Sequence, residues 1–213
     1  MKEKLKLFTL TTWEILFACI LYQSYHVDNI FQIFFYIIFG GIGLFLLFNG
    51  IFDEVEIYKK TTKLKSFTLT FVGIILVILN CGIFSFYEMK LNAQTLVKTE
   101  NKVVYADFKR NGEYIIKSGS WASKKYFYGN YSIKDSIINL DRKEFDNILI
   151  SNKFVIRKIA SVSSKNRKCE EKNYLVQLDQ NGMEIKNKVV DFDESKNEIY
   201  DSFKFGISED NRK

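Results

Sequence analysis

The chain has 213 residues, with 31 lysines and arginines against 25 aspartates and glutamates, for a formal charge of +6. A single histidine excludes a multi-histidine zinc site, Cys169 is the one cysteine beyond the apolar N-terminal part and has no partner there for an internal disulfide, and so small a positive excess is insufficient evidence for nucleic-acid binding. No GxxxxGK[ST], GxSxG or GxGxxG string occurs, and there is no proline, so turns must rest on Gly, Asn, Asp and Ser.

Taken from the start, the chain shows long apolar segments at residues 7–25, 30–52 and 67–86. A spanning helix needs about 20 mostly apolar residues, because each residue rises about 1.5 Å across a core about 30 Å thick. Residues 30–52 and 67–86 meet that length and carry no charged side chain. The first segment holds Glu14 and several threonines, so a helix lying on the membrane surface is its alternative. Its dense apolar run from Trp13 onwards and the short link to the second segment favour spanning. No small-residue cleavage site follows it, which argues against a removed signal peptide.

Short cationic segments stay in the cytoplasm. Lys2, Lys4 and Lys6 precede the first segment, and Lys59, Lys60, Lys63 and Lys65 lie between the second and third. The link at residues 26–29 has no lysine or arginine. The N-terminus and residues 53–66 are therefore expected in the cytoplasm of a bacterial inner membrane, with everything after the third crossing outside. Two crossings instead of three would reverse that side.

Within the spans, Gly40, Gly41 and Gly43 are candidates for close helix packing, which in lipid takes over from the hydrophobic drive. Glu14 is expected near the wet cytoplasmic boundary and Asn80 near the outer end of the third span. On that reading the two are not partners, and Asn49 is the better match for Glu14. His26, beside Asp28, reads as an interfacial loop residue. Cys19 and Cys81 read as apolar fillers.

Residues 87–102 read as a connector or a short helical stalk. Beyond them the apolar period turns towards two, at 103–108, 113–117, 125–129, 131–133, 136–140, 153–159, 174–178, 183–185 and 188–192. Asn111-Gly112 and Asn181-Gly182 tolerate the positive φ of tight hairpins, and Gly129-Asn130 and Lys134-Asp135 are further turn candidates. A short helix could lie between 141 and 152. The expected fold is thus an α-helical transmembrane region of three helices over residues 1–86, followed by a mainly antiparallel β domain over 103–200. The β domain is a meander forming a small barrel or sandwich, with a flexible tail at 201–213.

No catalytic, cofactor-binding or metal-binding constellation stands out. The candidate interaction surface is aromatic and basic: Trp121, Lys124, Lys125, Tyr126 and Tyr128, with Arg157, Arg167 and Lys168 in a second basic stretch. Aromatics of this kind could equally fill a barrel core. The expectation is a membrane-anchored, non-enzymatic binding protein whose partners are the lipid bilayer and a protein or envelope component. A bacterial accessory or immunity protein fits that architecture. A small membrane-surface enzyme and a signal-transmitting sensor are the alternatives.

Overall fold

The computed structural model describes residues 2–101, 104–146, 148–162, 169–185, 191–193, 198–200 and 204–212. The chain divides into two compact units, residues 1–92 with 121–123, and residues 93–120 with 124–213.

The first unit is helical. Helices α1 (Lys2–Ser24), α2 (Gln32–Thr61) and α3 (Thr68–Asn92) are each long and apolar enough to cross a membrane. A three-residue extended piece, β1 (Val27–Asn29), lies between α1 and α2, and a 3-10 turn, Leu64–Phe67, leads into α3. α1 packs against both other helices and buries Leu10 and Leu21, which is a bundle position rather than a surface one. Leu10, Leu47 and Leu69, one from each helix, form the inner seam. The other faces stay apolar and exposed, with Phe34, Ile37, Phe45, Phe48, Phe71 and Ile78 among them, as lipid-facing helices require. Lys6 and Asp53 pair at one end of α1 and α2.

Glu54 joins two helix ends. Its carboxylate accepts the Leu69 N–H at 2.6 Å, the Thr70 N–H at 2.9 Å and the Thr70 hydroxyl at 2.5 Å. The first N–H groups of a helix have no partner inside it, and a carboxylate there satisfies them while meeting the positive end of the helix dipole.

The second unit is a closed antiparallel barrel of eight strands. They are β2 (Thr95–Asn101), β3 (Val104–Lys109), β4 (Glu113–Gly119), β5 (Ser123–Lys134), β6 (Ile137–Leu140), β7 (Lys153–Val162), β8 (Cys169–Leu178) and β11 (Lys204–Asp210). From β2 to β8 each strand pairs with the next, and β11 closes the ring between β8 and β2. Strands β9 (Asp191–Asp193) and β10 (Glu198–Tyr200) form a separate antiparallel pair. The interior is filled by Val97, Ala106, Phe108, Ile116, Phe127, Phe154, Leu175 and Phe205 among others. The alternation that puts Val104, Ala106 and Phe108 inside turns Tyr105 outwards.

Several expectations need correction. Of residues 87–102 only 87–92 are helical, as the continuation of α3, and no connector of that length follows: the first barrel strand begins at Thr95. The barrel therefore starts before residue 103. The tail is not free either, because Lys204–Asp210 is a barrel strand with Phe205 buried in the core. Gly129-Asn130 is no turn but lies inside the twelve-residue β5. A Cβ at Gly129 would collide with the Tyr114 hydroxyl and Asp141, so glycine is required there by space. The real turn is one residue later than Lys134-Asp135: Asp135 and Ser136 have φ of 53° and 65°. Gly112 and Gly182 do occupy positive φ, at 86° and 80°. Residues 141–152 form no helix among the described residues, but an irregular loop that sends Phe145 and Leu149 into the core. Residues 183–185 contribute one bridge, Leu178 to Glu184, rather than a strand. Of the stretch 188–192, residues 188–190 lie outside the described residues.

An edge strand without its neighbour exposes a row of unpaired N–H and C=O groups. Residues 93–213 keep β2 whole, whereas residues 100–213 lose most of it and open the ring at both β3 and β11. The longer piece should be a soluble monomer with cooperative thermal unfolding by circular dichroism, and the shorter should aggregate or melt without cooperativity. Equal melting of the two would contradict a closed ring.

Candidate functional site

Two groups of residues bring polar chemistry together, one in each unit. In the helical unit, Glu14 on α1 is 4% exposed and Asn80 on α3 is 5% exposed. Asn80 Nδ2 donates to Glu14 Oε2 at 2.7 Å. On α2, a Cβ at Gly43 would stand 2.6 Å from Glu14 Oε1. Glycine there lets the carboxyl group lie directly against the α2 backbone. All three helices therefore converge on Glu14.

This overturns the expectation that Glu14 and Asn80 lie at different depths. Each stands twelve residues beyond the first residue of its helix, Lys2 and Thr68, so both fall near mid-helix. Asn49 is exposed, and its amide donates to the Phe45 carbonyl of its own helix at 3.1 Å. Of the glycines singled out, Gly40 approaches Phe17, with 3.3 Å to a would-be Cβ, and Gly43 meets Glu14. Gly41 has nothing within 4 Å. Two others make the tight contacts: a Cβ at Gly50 would overlap Leu69, and one at Gly73 would overlap Leu47.

A groove of about 690 Å³ opens along α1 and α3 above the pair. Its walls include Ala18, Cys19, Tyr22, Leu79 and Ile83, and it ends at His26. The His26 ring lies 4.5 Å from Tyr22 and 5.7 Å from Tyr87, within an aromatic collar where Tyr25 stacks on Tyr87 at 4.5 Å. Cys19 and Cys81 are free thiols.

In the barrel, the register of β3, β4 and β5 sets Tyr105, Lys117 and Tyr126 in one row, and Asp107, Ile115 and Tyr128 in the next. The Tyr126 and Tyr128 rings are near-parallel at 6.3 Å, and Lys117 Nζ lies 5.3 Å from the centre of the Tyr126 ring. Burial holds the Lys117 ammonium below the ordinary lysine value; Asp107 opposes this, and Lys98, Lys124 and Lys109 add repulsion. The face is thus aromatic and cationic around Lys117, with Ile115 buried in it and Lys109 paired with Asp107 at 2.8 Å.

Of the eight surface residues singled out, the barrel strands place Lys124, Lys125, Tyr126, Tyr128 and Arg157, and not all on one face. Lys124, Tyr126 and Tyr128 share this outer face of β5 by alternation. Trp121, in the β4–β5 connection, is 82% exposed. Lys125 instead pairs with Asp146 at 3.2 Å, and Arg157 on β7 pairs with Glu184 at 3.1 Å. Arg167 and Lys168 lie outside the described residues. Tyr105 and Lys117 were missed, because they join the face only through a strand register that no local pattern reveals. Among the described residues no three His, Cys, Asp or Glu side chains are grouped as a metal ion would need. No family model matches the chain, and no curated protein or solved structure matches it either.

Overpacking a tight contact costs about 1–3 kcal/mol, and an open surface tolerates substitution within about 0.5 kcal/mol. Gly73→Val should therefore lower the unfolding temperature of the full chain in detergent, and Gly41→Val should leave it unchanged. Equal effects would refute the packing assigned to α2 and α3.

Lys117 carries a pH dependence with a definite sign. Its folded-state value is depressed, so the charged form weakens the fold at neutral pH. That weakening fades as pH rises through the folded-state value towards the ordinary lysine range. Lys117→Met should stabilise the protein against denaturant at neutral pH, with the gain shrinking as pH rises. A pH-independent gain would show that charge burial is not its source.

Proposed function

We propose that this chain is a membrane-anchored binding protein of a bacterial inner membrane, non-enzymatic, acting as an accessory or immunity protein. Its barrel would recognise a protein or envelope component outside the cell. The observation that carries the reading is the outer face of β3–β5. Stacked Tyr126 and Tyr128, Lys117 against a tyrosine ring, and half-exposed Tyr105 offer rigid aromatic contact area beside positive charge. Tyrosine and tryptophan supply large contact areas at low entropic cost and are enriched in interface hot spots. The barrel interior is packed with its own side chains, which directs recognition to the outside.

The proposed orientation rests on charge. Lysines precede α1 and cluster around the connection from α2 to α3, and the connection from α1 to α2 lacks them. Three crossings would then deliver the barrel to the exterior.

One experiment separates placement from binding. Cys19, Cys81 and Cys169 are replaced by alanine, and Tyr126→Cys or, as control, Lys158→Cys is introduced. Intact cells are treated with a membrane-impermeant maleimide-to-amine cross-linker. Both thiols should be modified, with a discrete higher-mass adduct only at position 126. No modification before lysis would overturn the outside placement. Modification with the same adduct pattern at both positions would overturn the binding face.

A further inference from the structure

The groove along α1 and α3 is apolar on its walls and polar at its base. Ile15, Leu76, Leu79 and Ile83 line it, and Ala18 and Cys19 keep one wall low. At its base, Asn80 commits Nδ2 to Glu14, and its Oδ1 is buried with no hydrogen-bond partner among the described residues. The nearby indole donor of Trp13 is already spent on the Phe39 carbonyl at 2.8 Å. Within a bilayer core no water can supply the missing donor, and lipid tails carry none. A donor reaches that depth on another spanning segment. Above the base, ten residues of α1 run from Glu14 to Ser24, or about 15 Å at helical rise, which is half the thickness of a bilayer core. That is the scale of the side of a helix. Beside the groove, a Cβ at exposed Gly82 would meet nothing within 4 Å, so a second backbone can come close.

We infer that this groove receives a transmembrane helix of a partner protein bearing a hydroxyl, carboxamide or ammonium donor at mid-membrane depth. The donor meets the Asn80–Glu14 acceptors, and the apolar stem of the helix lies along Ala18, Cys19 and Leu79. The inference concerns the spanning helices alone and does not depend on the barrel face.

The test uses the full chain in phosphatidylcholine vesicles, with a donor fluorophore on Thr62→Cys and the three native cysteines replaced by alanine. The probes are two acceptor-labelled leucine-rich spanning peptides, identical except for leucine or asparagine at the centre. Energy transfer should show the asparagine peptide binding about fivefold more tightly, the scale of one interhelical hydrogen bond. Asn80→Leu should abolish that preference, and Asn49→Leu should preserve it. Ala18→Phe, which fills the groove and leaves the Glu14–Asn80 pair intact, should weaken binding of both peptides. Equal binding of the two peptides, or a preference that survives Asn80→Leu, would overturn the inference. Displacement of both peptides alike by octadecylamine, with no preference between them, would also overturn it, in favour of a small amphipathic amine.

Discussion

A carboxyl group halfway along a membrane helix must find its hydrogen bonds inside the protein, because the bilayer core holds no water to supply them. That constraint organises the helical unit. Asn80 supplies the donor to Glu14 from α3, and Gly43 gives up its side chain on α2 to admit the carboxyl group. The same economy of space recurs at Gly50 and Gly73, where leucines of neighbouring helices occupy the volume a Cβ would take. Helices in lipid gain nothing from hiding oily surface, so close contact and a few polar bonds must hold them. Glu54 applies the same rule at a helix end, holding the start of α3 from α2.

The barrel obeys a different constraint. In water an open sheet edge invites pairing with other chains, and closure removes it. The strand that closes this ring is the last one, bonded to β2 and β8. It brings Phe205 into the core against Phe154, with the rings 6.3 Å apart. The end near residues 141–152 is sealed by side chains rather than by secondary structure. Phe145 and Leu149 plug it, and Gln177 Oε1 accepts the N–H groups of Ile150 and Ser151 at 3.0 and 3.3 Å. Beside them, Asp141 accepts the Tyr114 hydroxyl and the Asn130 N–H. Burial, reinforced by Asp141, pushes the Tyr114 hydroxyl above the ordinary tyrosine value and keeps it a donor.

What could be read in advance follows from the range of the forces involved. Twenty-residue apolar runs are local, so the three helices were legible, and so were the alternating strands and the Asn-Gly turns. Depth was misread because apolar runs are shorter than helices. The polar ends at Lys2–Lys6 and Glu88–Asn92 are helical too, which moves Glu14 and Asn80 to the middle of their helices. β11 was invisible for a related reason. Its sequence, KFGISED, is mostly polar, and it becomes a strand only because β2 and β8 offer two open edges. Gly129 looked like a turn residue, though its reason is the Tyr114–Asp141 pair across the sheet. The surface face suffered most, since Tyr105, Lys117 and Tyr126 become neighbours only through register.

The two surfaces ask for opposite chemistry. The groove offers oxygen acceptors in apolar surroundings, where one hydrogen bond decides preference because nothing competes for it. The barrel face offers cations and aromatic rings in water, where charge is screened within about 8 Å at physiological salt and ring contact area must carry affinity. A partner meeting only the barrel would be selected by shape and negative charge, and salt would weaken it. A partner meeting only the groove would be selected by a single polar side chain at the right depth, and salt would leave it unaffected. Salt dependence of complex formation therefore distinguishes which surface dominates, whatever the partner is.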